Sequence, residues 1–77
     1  MTLYRAEAVK RTALGLNETV EFYEFDAPDL PAALHVADTW LRARDFGQNT
    51  ASEARIMIGE RIVAEKELRR STWNDPA

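Results

Sequence analysis

Cysteine is absent from this chain, so neither a disulfide nor a thiolate metal site can staple it. Histidine occurs once, as His35, and any imidazole-based triad or metal centre must be built around that ring. The glycines Gly15, Gly47 and Gly59 stand apart and form no phosphate-cradling loop. No apolar run approaches the roughly 18 residues that a membrane-spanning helix requires. The opening residues, Met1 to Glu7, lack the hydrophobic stretch of a secretory signal, and the cytoplasm is the expected compartment. Positive charge is also short: ten basic side chains against thirteen acidic ones leave a net charge of −3. That balance argues against a general nucleic-acid binder, whose affinity comes mostly from neutralising phosphates.

What is present suits one small folded domain. Its hydrophobic fraction is 45% and its charged fraction 30%, too apolar for a disordered segment. A chain of 77 residues leaves no room for a second domain. At this size only about 60% of the unfolded surface is buried, so the core supplies a few kcal/mol of net stability. Burying more surface against another chain is the remaining route to stability, and self-association or a protein partner is expected on that ground.

Hydrophobic periodicity divides the chain. Leu3 to Lys10 alternates Tyr4, Ala6 and Ala8 against Arg5 and Glu7, the pattern of a strand. Lys10 to Asn17 contains Gly15 and connects to a second strand, Glu18 to Phe25, rich in Val, Thr and aromatics. Asp26-Ala27-Pro28-Asp29 breaks that strand. Asp29 is placed to cap a helix over Leu30 to Arg44, with Pro31 tolerated in its first turn. Leu30, Ala33, Leu34, Ala37 and Leu41 form its apolar stripe, widened by Trp40. His35, Asp38, Thr39 and Arg42 fall on the opposite face, Arg42 and Arg44 suit the negative end of the helix dipole, and Gly47 is the expected stop.

After a polar loop, Gln48 to Ser52, Glu53 to Leu68 reads as a β-hairpin turning at Gly59-Glu60. A two-residue turn sets Ile58 opposite Arg61. A three-residue turn sets Ile58 opposite Ile62 and Ile56 opposite Ala64, and is preferred because it segregates apolar from polar side chains. Arg69 to Ala77 reads as a frayed tail, which leaves residues 1–70 as the domain and 71–77 as a flexible extension. The predicted fold is α+β, in the order β-β-α-β-β: a four-stranded antiparallel sheet with one helix packed on one face.

One helix covers one side of such a sheet, yet apolar residues emerge on both. Val20 and Phe22 point one way and Tyr23 and Phe25 the other. Similarly, Met57 opposes Ile56 and Ile58, and Val63 opposes Ile62. The uncovered face is therefore expected to carry Tyr23, Phe25, Met57 and Val63 as a partner interface. A bulge near Tyr23 would realign Phe25 with Val20 and Phe22 and remove part of this expectation.

The pieces Tyr4-Arg5-Ala6, Asp26-Ala27-Pro28-Asp29, Ala33 with Ala37, and Ala54 through Ala64 with Gly59, Arg61 and Val63 resemble a family of short uncharacterised alphaproteobacterial proteins. Members begin with a Y-R-A strand, pass an acidic turn into an A-x-x-x-A helix, and end in a G-x-R-x-V-A hairpin. The chain departs from that pattern where the family's tryptophan in the third strand is replaced by Met57 or Ile58, and in a longer loop before the hairpin. The resemblance implies the β-β-α-β-β fold; the family has no assigned activity and supplies no catalytic residue.

Chemistry has few places to reside. His35 with Asp38 offers two metal ligands where three or four are needed. Glu18, Glu21, Glu24 and Asp26 flank a strand in the manner of outward positions, not of an acid–base pair. No enzyme activity, cofactor or metal is expected. The basic pairs Lys10-Arg11, Arg42 with Arg44, and Arg69-Arg70 support an alternative. If they converge beside Tyr23 and Phe25, the sheet surface would stack single-stranded bases against a cationic rim.

Overall fold

The computed structural model describes residues 1–11, 14–15, 17–44, 51–70 and 72–75. Strands β1 (Thr2–Arg11) and β2 (Asn17–Ala27) precede helix α1 (Leu30–Arg44), followed by β3 (Glu53–Ile58) and β4 (Arg61–Glu67). The strands form one four-stranded sheet in the order β2-β1-β3-β4. β2 and β3 each pair antiparallel with β1, so they run parallel to each other on its two sides. A parallel pair needs a crossover, and α1 provides it. The expected α+β architecture is thus the observed one.

Local chemistry sets the helix start as expected. The Asp29 carboxylate accepts a 3.0 Å hydrogen bond from the Ala32 amide, and the Asp29 carbonyl accepts one of 3.1 Å from Ala33. Gly47, the expected helix stop, and most of the Gln48–Ser52 loop lie outside the described residues.

The face beneath the helix is lined by small side chains. Tyr4, Ala6 and Ala8 of β1 stand opposite Phe25, Tyr23 and Glu21 of β2, and Ala6 and Ala8 face Ile56 and Ala54 of β3. Ala33, Ala37 and Leu41 bury the helix against them. Seven of the twelve buried apolar residues among those described are alanines, which bring the helix close to the sheet. Each methyl contributes only about 0.8 kcal/mol, so this core is thin. Aromatic rings thicken it at the flank: Tyr4, Phe25, Tyr23 and Trp40 stack in series at centroid spacings of 6.0, 5.6 and 6.0 Å.

Two irregularities set the registers. In β2, Val20 is the extra residue where the pairing shifts between Ala8 and Val9. In β4, Val63 is extra between Ile56↔Ala64 and Met57↔Ile62. Ile58 pairs with Arg61, not with Ile62 as preferred above, across a Gly59-Glu60 turn with Gly59 at φ 59°. The bulge reconciles that tight turn with the apolar pairing of Ile56 and Ala64, which the preferred register also contained.

The tail also differs from expectation. Asn74 forms a bridge with Glu65, through amide-to-carbonyl bonds of 2.8 and 3.0 Å, on the outer edge of β4. Trp73 Nε1 donates to Asp38 Oδ1 at 3.0 Å, and Lys66 Nζ donates to the same oxygen at 2.8 Å while lying 4.8 Å from the Trp73 ring centre. Asp38 is therefore turned toward β4, away from the fully exposed helix face to which periodicity assigned it. Trp73 and Asn74 are docked, because an indole with a half-buried acceptor within reach gains both packing and a hydrogen bond.

Candidate functional site

Strand pairing places opposed residues on the same face, so the register identifies the surface opposite the helix. One row across β2, β1, β3 and β4 is Phe22, Glu7, Arg55 and Glu65, and the next is Glu24, Arg5, Met57 and Ile62. Leu3 with Asp26 lies beyond one side of these rows; Thr19, Val9, Glu53 and Glu67 lie beyond the other.

At the centre is Glu7, only 5% exposed although it faces away from the helix. Its carboxylate accepts from Arg55 Nε at 2.5 Å and from Arg5 Nη1 at 3.4 Å. The Arg5 guanidinium also lies 4.6 Å from the Phe22 ring centre. Arg5 and Arg55 thus cover Glu7 with their aliphatic stems and neutralise it with their heads. Around this triad Leu3 and Phe22 are exposed, Met57 and Ile62 half-buried.

This arrangement corrects the interface expected from sequence. Tyr23 and Phe25 do share a face, but it is the helix face: Phe25 is 9% exposed and Tyr23 stacks on Trp40. Val63, released from strict alternation by its bulge, packs against the helix-side cluster. Of the four residues only Met57 faces away from α1. Alternation correctly separated Phe22 from Tyr23 and Phe25; the helix simply covers the other side, where the alanines allow its approach. Sequence reasoning missed Leu3, Phe22 and Ile62, and the charged triad. The alternation of Arg5 and Glu7 against Tyr4, Ala6 and Ala8 was the available signal, but their partner Arg55 is 48 positions from Glu7.

Members of each basic pair, Arg11, Arg44, and Arg69 with Arg70, lie toward one end of the sheet. Arg11 and Arg69 border one open groove of about 600 Å³, and Arg44, at the helix terminus over that end, pairs with Glu21. Carboxylates accompany them: Arg11 contacts Glu53 at 3.1 Å and Arg69 contacts Glu67 at 2.8 Å, with Arg70 at 3.6 Å. The hydrogen bond and charge of Arg69, aided by Arg70, hold the exposed Glu67 carboxyl below its usual range. Tyr23 and Phe25 are not stacking platforms beside these arginines, since they lie against the helix.

His35 is exposed on the helix, and its carbonyl accepts from Thr39 Oγ1 at 3.1 Å. Among the described residues no group of three or more His, Cys, Asp or Glu is placed to hold a metal ion. A second open groove, about 560 Å³, runs between Leu30 of the helix start, Tyr4, and the β3–β4 turn at Ile58 and Arg61. No helix among the described residues is long and apolar enough to cross a membrane. No family model, characterised protein or solved structure matches this chain.

Proposed function

We propose that this chain is a small cytoplasmic binding module that docks a basic protein partner on the sheet face opposite the helix. The observation that carries this reading is the composition of that face. Leu3, Phe22, Met57 and Ile62 are set among carboxylates of which Glu7, Glu53 and Glu67 are paired with arginines, while Glu24, Asp26 and Glu65 have no ion-pair partner among the described residues. Interleaved apolar and acidic groups suit a partner that brings apolar contacts with a cationic rim. Self-association through the same face is disfavoured, because the arginines a second copy would bring are already paired with Glu7, Glu53 and Glu67 and leave no cation for Glu24, Asp26 and Glu65. The test is titration of isotopically labelled protein with a short oligolysine peptide, with oligoglutamate as control. Amide shifts at Leu3, Arg5, Phe22 and Met57 that fade as salt rises are expected. A stable dimer by light scattering, or no shift on the open face at low salt, overturns the reading.

A second reading, weak binding of single-stranded nucleic acid, is favoured only by the gathering of Arg11, Arg44, Arg69 and Arg70 at one end. It predicts salt-dependent oligonucleotide binding that is weakened by Arg69→Glu with Arg70→Glu. No binding at low ionic strength removes it.

A further inference from the structure

The two outer strands of the sheet are finished differently. β4 carries the Asn74 bridge on its outer side, with Trp73 anchored beside it. β2, the longest strand at 11 residues, pairs only with β1, and its other backbone edge has no partner among the described residues. Beyond the Val20 bulge, Glu21 to Ala27 is a regular run. An edge of this kind offers a row of amides and carbonyls to another extended chain.

The side chains along this edge specify the occupant. On the open face Phe22, Glu24 and Asp26 follow one another, and neither carboxylate has an ion-pair partner among the described residues. On the helix face stand Tyr23 and Phe25, and Tyr23 remains 43% exposed despite its stacking. β2 contains no basic residue. A strand added here places alternate side chains beside Glu24 and Asp26, and the others beside Tyr23. We infer that β2 accepts, by edge addition, an extended segment of a partner protein in which basic and apolar residues alternate. The basic side chains meet Glu24 and Asp26, and the apolar ones lengthen the aromatic row of Tyr4, Phe25 and Tyr23. The acidic pattern also discourages pairing between two copies of β2, which as an unprotected edge would otherwise be the simplest mate.

This inference rests on the proposed docking of a basic partner, and the experiment separates the two. The probe is a synthetic peptide of alternating lysine and valine. Controls are short oligolysine and two analogues N-methylated at alternate amides, one for each alternation. N-methylation preserves charge and side chains but blocks one hydrogen-bonding edge. The parent peptide is expected to bind more tightly than oligolysine and to protect β2 amides from hydrogen exchange. One or both methylated analogues should lose that protection. Glu24→Gln with Asp26→Asn should weaken binding by about tenfold while leaving the fold intact. If both analogues bind as well as the parent, with shifts on the open face only, strand addition is overturned and face docking stands. If neither the parent nor oligolysine binds, both readings fall. If β2 protection grows with protein concentration alone, the occupant is a second copy and the inference is wrong.

Discussion

The two faces of this sheet are built from opposite materials and resist change for different reasons. Under α1 the sheet presents alanines and Ile56, and what matters there is fit, since a methyl layer tolerates neither a void nor an intruder. On the other side Glu7 is as well buried as Tyr4 and better than Phe25 and Leu41, yet it is covered by two arginine side chains instead of a helix. Burial in this protein is therefore produced twice, once by a packed layer and once by long side chains lying over a central strand. The first mode excludes water through shape; the second depends on paired charge.

That contrast is open to direct attack. The largest effect is expected from Ile56→Ala, since Ile56 is fully buried between the Ala6 and Ala64 strands. Its cost, about 2–5 kcal/mol, rivals the whole stability of a chain this size. Circular dichroism under urea should find the variant largely unfolded in dilute buffer; a cooperative melt close to wild type would mean the helix layer is not the source of stability. Next is Glu7→Ala, which leaves Arg5 and Arg55 without their shared acceptor. Both guanidinium side chains are partly exposed, at 40% and 25%, and can rehydrate, so the expected loss is about 1–2 kcal/mol. Denaturant midpoints for Glu7→Gln should lie between those of Glu7→Ala and wild type. A loss in Glu7→Ala equal to that of Ile56→Ala would erase the distinction between the faces. The smallest stability change belongs to Phe22→Ser, within about 0.5–1 kcal/mol because the ring is 52% exposed and gives up chiefly its contact with Arg5. The same variant should nevertheless reduce oligolysine-induced shifts on the open face, which thermal melts and titrations can measure separately.

Much of the fold was legible in the residues. The helix bounds Leu30 to Arg44, the Asp29 cap, the hairpin turn at Gly59-Glu60 and the order of elements all follow from local rules acting over a few positions. The candidate surface was legible only as a separation: Phe22 on one side, Tyr23 and Phe25 on the other. Which side the helix would cover was assigned wrongly, because α1 is joined to β2 by a short turn that permits either approach. The decision came from β1 and β3, whose Ala6, Ala8 and Ala54 provide the shallow bed that an alanine-rich helix fits. Val20 and Val63 were misread because a bulge changes facing without leaving a distinctive residue behind. Trp73 was read as part of a loose tail because its acceptor, Asp38, and its cationic neighbour, Lys66, are distant in sequence.

Alternation and capping are short-range constraints, felt within a turn or a pair of neighbouring residues, and the sequence by itself determined whatever depends on them: four strands, one helix and their succession. Facing, edge protection and the burial of Glu7 depend on which distant side chains share space. Those were decided only when β1 took the centre of the sheet, where Arg55 from one neighbouring strand and Phe22 from the other could close over it.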